Sequence, residues 1–102
     1  MRYAFLLQIK EGTEAEYDRR HQAVFPDLLA QFRQAGIRTY SIYRDGTTLF
    51  AYMEADDIEG ALKAVEASEA DQRWQAYMAD ILVPFPTGSR TKPLPEVFHF
   101  ES

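Results

Sequence analysis

The 102-residue sequence contains no cysteine. Disulfide bonds, thiolate metal sites and cysteine nucleophiles are therefore excluded. No apolar run approaches the roughly 20 residues that a membrane-spanning helix needs, and the first residues lack the basic and apolar segments of a signal peptide. We accordingly expect a cytoplasmic protein that does not bind membranes.

Positive charge is also scarce, with 11 Lys and Arg against 16 Asp and Glu and a formal net charge of −5. Nucleic-acid binding needs a concentrated positive surface, so we expect no nucleic-acid partner. The two histidines, His21 and His99, have no third ligand at a spacing typical of metal sites. We therefore expect no metal ion.

Hydrophobic residues make up 46 % of the chain and aromatic residues 14 %. This composition is typical of a folded protein, and the length predicts one domain over residues 1–102. Apolar periodicity and turn residues predict four strands and a set of helices between them. The predicted strands are 2–9, 37–44, 48–54 and 96–100, the predicted helices 13–35, 58–67 and 68–83, and the loop 84–95.

The first predicted helix has recognisable ends and an interruption. Thr13 followed by Glu16 is a capping-box pattern, and Gly36 is a typical residue just beyond a helix end. Pro26 lies inside this span and predicts a kink near residues 22–25, since proline removes one backbone hydrogen bond.

The element order β-α-β-β-α-β predicts an α+β, ferredoxin-like fold with a four-stranded antiparallel sheet and helices on one face. The first strand is apolar on both faces, with Phe5 and Leu7 on one side and Ala4 and Leu6 on the other. Something must therefore cover the sheet face that carries no helices. We expect that cover to be a second copy of the chain, giving a homodimer of the α+β barrel type.

Tyr17 and His21 stand four residues apart on the apolar side of the first helix. His is the side chain whose ordinary pKa, about 6.5, lets it give and take protons near neutrality. On spacing alone, packing is the more frequent role for such a pair. The alternative is a general acid–base site in which Tyr17 donates a hydrogen bond to a polar ligand.

Other aromatic side chains are candidates for the same site. Tyr40 and Tyr43 lie on opposite faces of the second strand, so only one of them can face the helices. Trp74 begins an apolar helical stripe and suits either the core or stacking against the apolar face of a sugar ring.

Together these landmarks resemble the L-rhamnose mutarotases along nearly the whole chain. Each motif is weak alone, and the order and spacing of the set are specific. The matching segments are Gln8, Glu16-Tyr17, Arg19-Arg20-His21, Pro26, Tyr40-Ser41-Ile42-Tyr43, Leu49-Phe50-Ala51, Gln72-Arg73-Trp74, Tyr77-Met78-Ala79-Asp80-Ile81 and Glu96-Val97-Phe98-His99.

The resemblance implies an enzyme that interconverts the α and β anomers of L-rhamnose without a cofactor, as a dimeric ferredoxin-like protein. It implies that His21 is the proton donor and that Tyr17 and Tyr40 contact the sugar. The family's tryptophan pair corresponds to Trp74 and then to Gln75, where an amide replaces an apolar wall. The segment 84–89 also departs from the family pattern.

Three alternatives stay open on the sequence. The first is that the substrate is another 6-deoxy sugar such as L-fucose, since Gln75 alters the predicted binding surface. The second is that the protein is a cofactor-free oxygenase on the same dimeric architecture, which is an analogy of fold alone. The third is that it is a non-catalytic sugar-binding or dimerisation module.

Overall fold

The computed structural model describes residues 1–102 and contains four strands, four α-helices and one 3₁₀ turn. The strands are β1 (Arg2–Gln8), β2 (Ile37–Asp45), β3 (Thr48–Ala55) and β4 (Lys92–Leu94). The helices are α1 (Glu14–Arg20), α2 (Pro26–Gln34), α3 (Ile58–Ala67) and α4 (Glu69–Met78), and the 3₁₀ turn is His21–Ala23. None of the helices has the length and apolar character required to cross a bilayer.

The four strands form one antiparallel sheet in the order β2-β3-β1-β4, which confirms the predicted α+β ferredoxin-like fold. β1 pairs with β3 with Phe5 opposite Ala51, and β3 pairs with β2 with Met53 opposite Tyr40. β2 and β3 are joined by a tight hairpin turn at Asp45-Gly46, where Gly46 has a φ of 60°. A positive φ there suits glycine, so this turn sets the register that places Tyr40.

The core lies on the sheet face covered by the helices. Leu49, Ala51 and Met53 of β3 alternate along that face and are at most 2 % exposed. The opposite face carries Phe50 and Tyr43, which are 43 % and 67 % exposed. The sheet therefore has one buried and one uncovered apolar face, as the alternation predicts.

The single kinked helix predicted over 13–35 is wrong. α1 ends at Arg20, His21 begins a 3₁₀ turn, and Val24 and Phe25 are extended, with ψ of 138° and 126°. The proline ring disfavours helical geometry at the preceding residue, and Pro26 instead occupies the first turn of α2, where its missing N–H costs nothing. α1 and α2 are therefore separate helices, and His21 begins the segment that joins them.

The capping box predicted at the start of α1 is also wrong. Thr13 Oγ1 donates to the Lys10 carbonyl instead of capping the helix, and the Glu16 carboxylate accepts from Arg19 and Arg20. Ser68 does cap α4, since its Oγ accepts from the Asp71 N–H.

The last helix and the last strand lie earlier in the chain than predicted. α4 ends at Met78 and not near residue 83, because the chain then pairs with the end of β1: Lys10 N–H donates to the Ile81 carbonyl and Val83 N–H to the Gln8 carbonyl.

β4 lies at Lys92–Leu94 and not at 96–100. It is an edge strand, where Pro93 is tolerated because one side of the strand needs no hydrogen-bonding partner. The segment 96–100 is irregular, and Val97, Phe98 and Phe100 are 92 %, 80 % and 72 % exposed.

Candidate active site

A cleft of about 970 Å³ runs between edge strand β2 and the segment formed by α1, the 3₁₀ turn and α2. We call it the His21 cleft. Four of the five site residues predicted from the sequence line it, namely Tyr17, His21, Tyr40 and Trp74. They come from α1, the 3₁₀ turn, β2 and α4, so the fold brings together residues that are up to 57 positions apart in the chain.

The rings of Tyr17 and His21 stack, with their centroids 4.1 Å apart and their planes inclined by 25°. His21 directly follows α1 and keeps helical backbone angles, so its ring lies one turn above the ring of Tyr17. The edge-on ring of Trp74, at 5.3 Å and 87°, closes a second side of the imidazole. His21 is therefore held in one orientation by two aromatic neighbours.

A backbone hydrogen bond determines which imidazole nitrogen carries the proton. His21 Nδ1 lies 3.0 Å from the carbonyl oxygen of Tyr17. A carbonyl oxygen can only accept, so Nδ1 donates and Nε2 holds the lone pair of the neutral ring. Nε2 is then the nitrogen available to a ligand in the cleft.

The surroundings of His21 favour its neutral form. Burial lowers the pKa of His21 below the ordinary 6.5, and the Tyr17 carbonyl and the Asp18 carboxylate oppose that shift in part. Near pH 7 the side chain is consequently neutral. It presents a base to the cleft and becomes an acid only after taking up a proton.

Both phenols in the cleft are protonated at neutral pH. Burial is the main cause that raises the pKa of Tyr17 and of Tyr40 well above the ordinary 10. Phe32 packs at 5.3 Å from the Tyr40 ring and helps to fix it. Each phenol can thus donate a hydrogen bond to a ligand oxygen without titrating in the working range.

Trp74 belongs to both the core and the cleft. It is 8 % exposed, and the ring of Phe25 meets it edge-on at 5.0 Å and 89°. Phe25 is the extended residue before Pro26, so the break between α1 and α2 places an aromatic ring against Trp74. The exposed remainder of the indole faces the cleft.

An ion pair that we did not predict lies in the same cleft. Asp18 accepts from Arg44 Nε at 2.9 Å and from Nη2 at 2.7 Å, and these hydrogen bonds lower the pKa of its carboxyl. The sequence did hold a signal. Asp18 precedes His21 by three residues on the helix, and Arg44 shares a strand face with Tyr40 and Ile42.

Gln75 does not line the His21 cleft. Its Oε1 and its backbone carbonyl both accept from Arg90 Nη1, at 2.9 and 3.0 Å, in a smaller polar pocket of about 450 Å³. Its side-chain amide also approaches Asp71 at 3.4 Å. Gln75 therefore tethers the segment after α4 to that helix.

Arg20 fixes the position of the 3₁₀ turn from the other side. Its guanidinium donates to Glu16 at 2.7 Å and to Asp80 at 2.8 and 3.0 Å, and it lies 4.6 Å from the centre of the Tyr77 ring. The side chain is only 10 % exposed. Arg20, which directly precedes His21, is thus bonded to the C-terminal end of α4 and to Asp80 just beyond it.

The site contains proton-transfer groups and hydrogen-bond donors. No group of three or more His, Cys, Asp or Glu side chains is arranged to hold a metal ion. A neutral imidazole, two phenols and an indole are suited to bind a polyhydroxylated ring and to move protons on it.

Residues 2–100 match the family model of L-rhamnose mutarotase. An L-rhamnose mutarotase of Bacteroides thetaiotaomicron is 43 % identical over 98 % of both chains. One of Verminephrobacter eiseniae is 40 % identical over 96 % of this chain and 94 % of the relative.

Solved structures are also similar to this chain. The crystal structure of L-rhamnose mutarotase FA22100 from Formosa agariphila matches with a TM-score of 0.83 and 31 % identity over 99 % of both chains. A dimeric ferredoxin-like protein from an uncultured marine organism matches with a TM-score of 0.61 and 14 % identity, over 99 % of this chain and 97 % of its own, which shows the shared fold alone. The chain belongs to the L-rhamnose mutarotase family.

Proposed function

We propose that this protein interconverts the α and β anomers of L-rhamnose, with His21 transferring the proton. The observation that carries the proposal is the orientation of His21. Its Nδ1 donates to the Tyr17 carbonyl, which leaves Nε2 without a hydrogen bond to the protein, and the residue lines the His21 cleft. The relatives named L-rhamnose mutarotase support the choice of sugar.

The chemistry needs only proton transfers. Opening the ring breaks the bond between the anomeric carbon and the ring oxygen, delivers a proton to that oxygen and removes one from the anomeric hydroxyl. The resulting aldehyde rotates and recloses on its other face, which reverses both transfers. Neutral His21 takes the proton of the anomeric hydroxyl as the ring opens, while a solvent water protonates the ring oxygen, and both transfers reverse when the ring recloses. General acid–base help of this kind is worth about 10²–10⁴-fold in rate.

The remaining residues have binding roles in this proposal. Tyr17 and Tyr40 donate hydrogen bonds to sugar oxygens, because both phenols stay protonated. Trp74 packs on the apolar face of the ring. Gln75 has no role in this proposal, because it binds Arg90 in the separate polar pocket and neither residue lines the His21 cleft.

Saturation-transfer NMR of L-rhamnose, L-fucose and L-mannose tests the proposal directly, since it measures exchange between anomers at equilibrium. Acceleration over buffer with L-rhamnose above the other two sugars is the expected result. No acceleration with any of them contradicts the proposed activity, and a preference for L-fucose contradicts the choice of sugar.

The pH profile of the exchange rate should report the state of His21. Because burial keeps its pKa below 6.5, we expect kcat/KM to be constant near neutrality and to fall with a midpoint below pH 6.5, as Nε2 becomes protonated. Asp18→Asn should move this midpoint to lower pH, since the Asp18 carboxylate favours the imidazolium. Arg44→Gln should move the midpoint to higher pH, because the Asp18 carboxylate then lacks the guanidinium that neutralises it.

Rates measured between about pH 4.5 and 8, after subtraction of the buffer-catalysed rate, check these shifts. Activity that increases as the pH falls through this range would assign the reaction to the protonated imidazole instead.

We propose that the protein is a homodimer in the cytoplasm. The sheet face opposite the helices carries the exposed side chains of Tyr43, Phe50 and Leu94, and the chain after β4 adds Val97 and Phe98. This combined apolar surface favours association with a second copy, in which each sheet covers the other. The dimeric ferredoxin-like protein with the same fold supports this arrangement.

Phe50→Glu should weaken the dimer by about tenfold or more, because it places an unpaired charge in the proposed interface. Ala64→Glu introduces the same charge on the exposed side of α3 and serves as the control. Sedimentation equilibrium measures both dissociation constants. A monomeric wild type, or equal behaviour of the two variants, contradicts this interface.

A further inference from the structure

The His21 cleft is longer than one sugar ring requires. Arg44 lies at its His21 end, since it is bonded to Asp18 on α1. Arg38 lines the cleft six residues earlier on β2. At about 3.3 Å per strand residue, these two positions are separated by at most roughly 20 Å along the strand, because the register shift between Ile37 and Thr39 shortens the path.

The volume of the cleft leads to the same conclusion. Pockets for drug-sized ligands occupy about 300–1,000 Å³, and the cleft of about 970 Å³ is at the upper limit of that range. A 6-deoxyhexose is much smaller than such a ligand. With its anomeric carbon at His21, the sugar leaves the part of the cleft beyond Tyr40 unfilled.

The charge of the cleft differs from that of the protein. Its lining contains Arg33, Arg38 and Arg44 but only one carboxylate, Asp18, in a chain of net charge −5. Arg44 is bonded to Asp18, and Arg38 is bonded to the almost fully exposed Asp56. Arg33 forms no ion pair, so the end remote from His21 has positive charge to spare.

We propose that the cleft accepts an L-rhamnose whose non-anomeric end is extended by a second, anionic sugar, with the anion held by Arg33 and Arg38. This inference rests on the proposed function, because it fixes the free anomeric carbon at His21. A guanidinium pairs in a bidentate manner with a carboxylate or a sulfate ester. Arg38 lies two residues beyond Tyr40 on β2, roughly 7 Å further along the strand, so an anion that reaches it is carried on a unit beyond the ring that Tyr40 contacts.

The test compares two disaccharides with L-rhamnose at the reducing end, one extended by a glucuronosyl unit and the other by a glucosyl unit. They differ only in the carboxylate. For the wild type, we expect KM for anomer exchange of the glucuronosyl compound to be about three- to tenfold lower, which corresponds to the roughly 1 kcal/mol of a partly exposed ion pair. The advantage should shrink as salt is added.

Substitution locates the anion. Arg33→Gln and Arg38→Gln should each reduce the KM ratio of the two disaccharides towards one. Arg19→Gln removes the same charge from an exposed arginine outside the cleft and should leave the ratio as it is. L-rhamnose carrying a sulfate ester forms a third arm, and a preference for it over the glucuronosyl compound would overturn the placement of the anion on the second sugar.

The two proposals fail separately. If exchange of L-rhamnose is accelerated but the disaccharides have equal KM values or are not accepted, the anionic extension is wrong and the mutarotase activity stands. If no sugar is exchanged and calorimetry still shows tighter binding of the glucuronosyl compound that depends on Arg33, the cleft binds the anionic sugar and the proposed activity is wrong.

Discussion

Replacing His21 with alanine lowers the rate of anomer exchange by about 10²–10⁴-fold, the typical contribution of a positioned acid–base group. The loss should appear in kcat more than in KM, since the stacked Tyr17 and the remaining cleft residues still contact the sugar. His21→Gln keeps a polar side chain of similar size and should lose as much activity, because an amide cannot exchange a proton near neutrality.

His99→Gln is the matched control for this loss. His99 lies in the irregular C-terminal segment, where its Nε2 is 3.1 Å from Glu101, and it has no place in the cleft. Saturation-transfer NMR at equal protein concentration measures all three variants. If His21→Ala binds L-rhamnose and exchanges its anomers as fast as the wild type, another group transfers the proton.

A non-catalytic sugar-binding protein would give a different pattern. Calorimetry would then show binding of L-rhamnose to wild type and to His21→Gln, and neither would accelerate exchange over buffer. The same two measurements therefore separate loss of catalysis from absence of catalysis.

The sheet could be predicted from the sequence because its signals are local. Alternation along β2 and β3 and the turn at Asp45-Gly46 determine which side chains share a face. Alternation predicted that Tyr40 and Tyr43 lie on opposite faces without saying which faces the helices; in the structure Tyr40 pairs with buried Met53 on the core side and Tyr43 is 67 % exposed on the other. Strand pairing follows from the same alternation, since a shift by one residue would expose the core face.

The ends of the elements were harder to predict because they depend on distant partners. α4 ends at Met78, although apolar spacing continues, because backbone groups at Ile81 and Val83 pair with β1. β4 forms at Lys92–Leu94 in spite of Pro93, because an edge strand needs hydrogen bonds on one side only. Neither the backbone pairing with β1 nor the edge position of β4 can be inferred from the local sequence.

The candidate site likewise contains some features that local sequence patterns predict and others that depend on the tertiary fold. Tyr17 and His21 follow from helical spacing, and the stack is observed. The bond between Asp18 and Arg44 joins α1 to β2 and requires the tertiary fold. Gln75 follows Trp74 in sequence but projects to another pocket, since consecutive helical residues do not share a face.

Trp74→Ala is expected to be the most destabilising substitution in the site. The indole is 8 % exposed and contacts the rings of His21, Phe25 and Tyr77. Truncating a buried tryptophan typically costs about 3–5 kcal/mol, a large share of the roughly 5–15 kcal/mol that stabilises a domain. We expect Tm to fall by at least about 10 °C in thermal unfolding, and KM for L-rhamnose to rise in the variant that remains folded.

Leu49→Ala separates the two effects of Trp74→Ala. Leu49 is fully buried in the same cluster but does not line the cleft, so its truncation should cost about 2–5 kcal/mol and leave KM as in the wild type. Both variants are assayed at a temperature where circular dichroism shows them folded. A rise in KM for Trp74→Ala alone assigns the indole to the sugar, because loss of stability is common to both. Equal KM values for the two variants would make Trp74 a core residue only.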